Sequence, residues 1–86
     1  MAKASLSTME WTGDDIVEYI LLLCAAEATF DDLIQCMNVL SPTLLKKYLF
    51  YLIDYDLISY NGQKQTYLTK DKGLDVLSRI IEYKII

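Results

Sequence analysis

Eighty-six residues, 53% of them hydrophobic and 23% charged, suffice for one domain with a single core and leave too little for a second. The formal net charge of −4 excludes a uniformly basic nucleic-acid binder, but it is unevenly spread: through residue 36 one base faces seven acids, a balance of −6, and from residue 37 seven bases face five acids, a balance of +2. A surface for a polyanion therefore belongs to the second half of the chain.

Residues 1–10 hold small and polar types without periodicity and are expected to form a flexible tail ahead of a domain over 11–86. With no apolar h-region in the tail, a signal peptide is not expected. Thr12 with Asp15 has the spacing of a capping box, and Trp11 with Ile16 that of a hydrophobic staple, so the first helix is expected to run to about Ala26. Beyond its first turn this helix is apolar nearly all round, more than one core face needs. The run Ile20 to Ala26 is far shorter than the roughly 18 residues that read as a membrane span, which leaves a cytoplasmic protein as the expectation.

Thr29 with Asp32 repeats the capping spacing, and Leu33, Ile34, Cys36 and Met37 supply a short second helix ending near Asn38. Cys24 and Cys36 fall on separate helices, form no CxxC motif, and the chain has no histidine to complete a zinc site; both read as small buried hydrophobes. Ser41 as N-cap, Pro42 at the first helical position and the Leu40/Leu45 staple spacing start a third helix over 41–55. On it Leu45, Tyr48, Leu49 and Leu52 point inward and Thr43, Lys47, Phe50, Tyr51 and Asp54 outward. Asp56 takes the left-handed position that ends the helix.

Two β-prone runs, Leu57 to Tyr60 and Gln65 to Thr69, flank Asn61-Gly62 and predict a hairpin over 57–69. Its loop is either Asn61-Gly62 or the four residues through Lys64. The two registers differ by an even number, so Ile58 and Tyr60 share a face with Gln65, Tyr67 and Thr69 in both. A last helix runs from about Asp71 to the C-terminus, with Leu74, Leu77, Ile81 and Ile85 on one side and Val76, Ile80 and Tyr83 widening the stripe.

In this order the elements carry a resemblance. Leu40-Ser41 with Leu45-Lys46-Lys47-Tyr48-Leu49 and Leu52, then Leu57-Ile58, then Tyr67-Leu68-Thr69-Lys70-Asp71-Lys72-Gly73, resembles the small archaeal winged helix-turn-helix regulators, from Ile16 to Ile86. Lys70 replaces a threonine of that family's Y-x-T-T-x-K-G passage, Asp56 replaces its usual glycine, and Asp31-Asp32 stand where its second helix is commonly basic. The fold implied is α+β, mostly α: three helices, a two-stranded β-hairpin wing and a C-terminal helix. The function implied is transcriptional regulation through duplex DNA, without a cofactor.

The candidate DNA-binding residues are Ser41, Thr43, Lys46 and Lys47 in the first turns of the third helix, and Asn61, Gln63 and Lys64 at the hairpin tip. Lys47 ranks ahead of Lys46, whose wheel position lies nearer the core boundary. Neither is accompanied by the arginine or asparagine that reads a base edge bidentately, so phosphate contacts are expected to exceed base reading. Tyr48, Tyr51, Tyr55, Tyr60 and Tyr67 read mainly as core or boundary rings rather than stacking platforms for a single strand. The pairs Asp14-Asp15 and Asp31-Asp32 sit in helical first turns, where acids suit the dipole, and no nucleophile-base pair, phosphate loop or EF-hand occurs, so no enzyme is expected. A homodimer through the first and last helices is expected from their surplus apolar surface. The alternative function is a winged-helix protein adaptor that has lost DNA binding, with its partner at Phe50 and Tyr51.

Overall fold

The computed structural model describes residues 12–85, with side chains through Tyr83. The expected tail over 1–10 and the Trp11 end of the first staple lie outside the described residues. Helix α1 (Gly13–Cys24), strand β1 (Ala28–Thr29), helix α2 (Phe30–Cys36), helix α3 (Pro42–Asp54), strands β2 (Ile58–Asn61) and β3 (Thr66–Thr69) and helix α4 (Asp71–Ile85) follow one another. The chain is thus α+β and mostly helical. Its antiparallel sheet has three strands in the order β1-β3-β2, one more than the two-stranded hairpin expected. The added strand is two residues long, pairing Ala28 with Tyr67 and Thr29 with Thr66, too short to show any alternation in sequence.

The caps form as their spacing requires. The Thr12 hydroxyl accepts from the Asp15 amide and the Asp15 carboxylate from the Thr12 amide, both at 3.1 Å; Thr29 and Asp32 do the same at 3.0 Å. Ser41 Oγ accepts from the Leu44 amide at 3.1 Å, with Pro42 opening α3. α1 and α2 stop earlier than expected, at Cys24 and Cys36. Glu27 takes φ 63°, its amide donates to the Cys24 carbonyl at 3.0 Å, and the chain turns at once into β1. α3 ends in a Schellman motif: Asp56 at φ 66° donates to the Ile53 carbonyl, and Leu57 to the Leu52 carbonyl, both at 2.9 Å.

Ile16, Ile20, Leu21 and Cys24 of α1, Leu33 of α2, Met37, Leu45, Leu49 and Leu52 of α3, Leu57, Ile58 and Leu77 make one buried core. Most of the apolar surplus of α1 is covered by α4 and β3, against which it packs, and Leu22 remains exposed at 46%. Burial pushes the Cys24 thiol up to about 12, as expected of a core cysteine. Cys36 departs from expectation: it is exposed, because α2 is only two turns long and turns Leu33 rather than Cys36 to the core.

α4 turns Leu77 and Ile81 of its expected stripe to the core, but not Leu74. Gly73 is buried, and a Cβ there would stand 2.2 Å from the Leu57 carbonyl oxygen and 2.7 Å from Thr69 Cγ2. Only glycine permits that approach; Leu77 is buried as expected, and Leu74, expected on the same side, is 42% exposed. The root of the hairpin is tied twice more: the Lys70 amide donates to the Leu57 carbonyl at 2.9 Å, and the buried Thr69 hydroxyl donates to the Leu21 carbonyl of α1 at 2.8 Å.

Candidate nucleic-acid interface

The hairpin that α1 and α4 hold in place closes between Asn61 and Thr66, giving the four-residue loop Gly62 to Gln65. Neither expected loop is the one formed, and the reason is the asparagine side chain. Asn61 Oδ1 accepts from the amides of Gln63 at 2.9 Å and Lys64 at 3.1 Å, while Gln65 at φ 57° rather than Gly62 takes the left-handed conformation. The register again differs by an even number, so the shared face survives: Ile58 lies opposite Thr69 and Tyr60 opposite Tyr67. Asn61 and Ser41 therefore both spend a side-chain oxygen on local structure.

Thr43, Lys46 and Lys47 are all exposed on α3, as are Gln63 and Lys64 at the hairpin tip. The structure sorts the lysines differently from the sequence. Lys46 and Lys64 line one groove, of 640 Å³, between α3 and the hairpin. Lys47 lines a second groove between α3 and α1, beside Gly13, Asp14, Leu44 and Tyr48. Lys46, ranked second on the helical wheel, is the one that faces the groove the hairpin tip shares. Its ammonium stands 5.6 Å from the centroid of the Phe30 ring, within cation–π range.

Phe50 and Tyr51, expected to form one patch, are likewise separated. Phe50, 68% exposed, lines the hairpin groove, and Tyr51, 53% exposed, lines the α1 groove, its ring 4.7 Å from that of Tyr55. The expectation that the tyrosines are mostly core or boundary holds for half-buried Tyr48 and Tyr67 and fails for Tyr55 and Tyr60, 55% and 48% exposed, while Tyr51 at 53% points outward as its wheel position requires. Three turns of α3 have only the inward stripe of Leu45, Leu49 and Leu52 to bury, and the hairpin shields only part of the ring at Tyr60. Tyr60 and Tyr67 lie 4.8 Å apart by ring centroids at 46°. Burial, with Tyr60 and Cys24 adding to it, raises the Tyr67 phenol above its ordinary value.

Acids oppose this groove. Asp31 lines it, and Glu27, in the αL turn after α1, pairs with the Lys64 that lines it. Glu27 Oε2 accepts from the Thr66 hydroxyl at 2.8 Å and stands 3.7 Å from Lys64 Nζ. The role of Glu27 is invisible in the sequence, since its partner Thr66 lies 39 positions away and is reached only through the β1–β3 pairing. A third groove, lined by Asp14, Val76, Arg79, Ile80 and Tyr83, runs between α1 and α4, and Tyr83 beside it is 84% exposed. Among the described residues there is no cluster of three metal-ligating side chains and no helix long and apolar enough to cross a membrane. The sequence matches no protein-family model, and no curated protein is significantly similar to it.

Proposed function

We propose that the chain is a winged-helix DNA-binding domain that acts as a transcriptional regulator, with α2 and α3 as its helix-turn-helix and the β2–β3 hairpin as its wing. The observation that carries this reading is the convergence of Lys46 from α3 and Lys64 from the hairpin tip on one groove. Two elements joined through a rigid root then approach a duplex together, α3 towards the major groove and the hairpin towards the adjacent backbone. With lysine as the only cation on either element, affinity rests on phosphate and is steeply salt-dependent. The α1–α4 groove and the exposed Tyr83 ring beside it support a homodimer through those helices.

The adaptor reading has one specific observation in its favour. Asp31 and Glu27 place two carboxylates at the same groove as the two lysines, so its charge is balanced rather than basic.

The deciding measurement is affinity for a mixed-sequence duplex across a salt series, for the wild type, Lys46→Glu and Lys47→Glu. Lys46→Glu is expected to weaken binding about tenfold or more and to flatten the salt slope, with a smaller loss for Lys47→Glu. Equal losses reject the groove as the docking face, and no binding at low salt leaves the adaptor reading. Light scattering that shows a monomer at high micromolar concentration rejects the dimer.

A further inference from the structure

We propose that the α3–hairpin groove holds an unpaired nucleotide, so that the preferred ligand is DNA with a single-stranded end rather than a continuous duplex; the proposal rests on the nucleic-acid reading above. Four aromatic rings from four elements converge on this groove: Phe30 opening α2, Phe50 on α3, Tyr60 on β2 and Tyr67 on β3. Phe50 and Tyr60 keep 68% and 48% of their surface in water. A paired duplex cannot use those rings, because the faces of its bases are already stacked on one another and it offers protein only edges and backbone. An unpaired base presents a free π-face that stacks on an aromatic side chain regardless of sequence.

The two lysines favour the same occupant. A nucleotide carries a flat ring and an anion side by side, and the groove alternates rings with cations, Lys46 at one position and Lys64 at another. An apolar peptide would satisfy the rings and bring no anion to either lysine. A cationic ligand of the kind held in aromatic cages is repelled by both lysines. Asp31 and Glu27 set a threshold against this occupant: Glu27 already holds Lys64 at 3.7 Å, so an arriving phosphate must displace a carboxylate. Both partners of that pair are exposed to solvent, which makes the exchange an inexpensive one. Glu27 thereby sets how strongly phosphate competes for the hairpin tip.

The test compares anisotropy of a labelled blunt duplex with that of the same duplex carrying a single-stranded overhang of six nucleotides, for the wild type, Phe50→Ala, Tyr60→Ala and Glu27→Gln. The overhang is expected to bind about tenfold tighter than the blunt duplex in the wild type. Phe50→Ala and Tyr60→Ala, both at exposed positions, are expected to remove that preference, read within each variant as the ratio of overhang to blunt-duplex affinity. Glu27→Gln is expected to raise affinity for the overhang a few-fold. Blunt and overhang duplexes bound equally, with Phe50→Ala without effect, overturn the proposal and leave DNA binding standing. Binding of neither overturns both.

Discussion

The two ends of the β2–β3 hairpin are built on opposite principles. At the root, Leu57 and Ile58 are buried, Thr69 sends its hydroxyl into α1, and α4 comes so close at Gly73 that no side chain fits between. At the tip, Gly62 to Lys64 are exposed, and the loop is shaped by the Asn61 carboxamide and a Glu27–Lys64 pair open to water. The root is held by burial and shape, which tolerate little change; the tip is held by exposed polar contacts, which exchange readily for a ligand's. An arm of this kind fixes where the tip is presented while leaving its side chains available.

The strongest way to break that contrast is Gly73→Ala. The added methyl meets the Leu57 carbonyl oxygen, which cannot retreat without losing the Lys70 amide it accepts. Alanine gains about 1 kcal/mol over glycine inside a helix, but the clash outweighs it, and a net loss of about 2 kcal/mol is expected. Urea unfolding shows this as a lower midpoint with an unchanged slope. A variant as stable as the wild type would mean that the root yields and that tip and root differ less than their burial implies.

Thr69→Val probes the same root more gently. Valine keeps the shape and removes only the hydroxyl that donates to the Leu21 carbonyl, an oxygen that also accepts from the Ala25 amide at 3.1 Å. Because that carbonyl keeps one partner, the expected loss is about 1 kcal/mol, or about 4–8 °C in Tm for a domain of this size. No change in Tm would assign the placement of α1 on β3 to packing alone.

The root and the tip also differ in how far they could be read from residues. Most of what is local was legible: Thr12, Thr29 and Ser41 cap as their spacing demands, Asp56 takes the left-handed position, and the period-two face of the hairpin survives, although the loop that Asn61 builds is neither of the two expected. What was not legible depends on contacts between distant segments. Strand β1 exists only because β3 lies beside it, Glu27 finds Thr66 only across that pairing, and the close approach of α4 to Leu57 at Gly73 is not written in the stripe that places Leu77 inside. The candidate site shows the same division. The exposed lysines of α3 were found by helical geometry, but which of them faces the hairpin depends on where the hairpin lies, and this brings Lys46 to Lys64 and sends Lys47 to the α1 side.

The smallest expected effect lies at the outer edge of the root, where Lys70 pairs with Asp56 in the open. The hydrogen bond and charge of Lys70 lower the Asp56 carboxyl below its ordinary value, against an opposing desolvation and with a smaller pull from Lys72. A carboxyl depressed in the folded state contributes stability that is complete above its unfolded pKa, near 4, and is lost as pH falls through the lower folded value. Lys70→Met is therefore expected to be slightly less stable than the wild type at pH 7, with the difference shrinking as pH falls below about 4. Chemical unfolding at a series of pH values reads this directly. A difference constant with pH would mean that Lys70 supports the root through its aliphatic stem rather than through its charge, and that the outer edge of the root is held as its interior is.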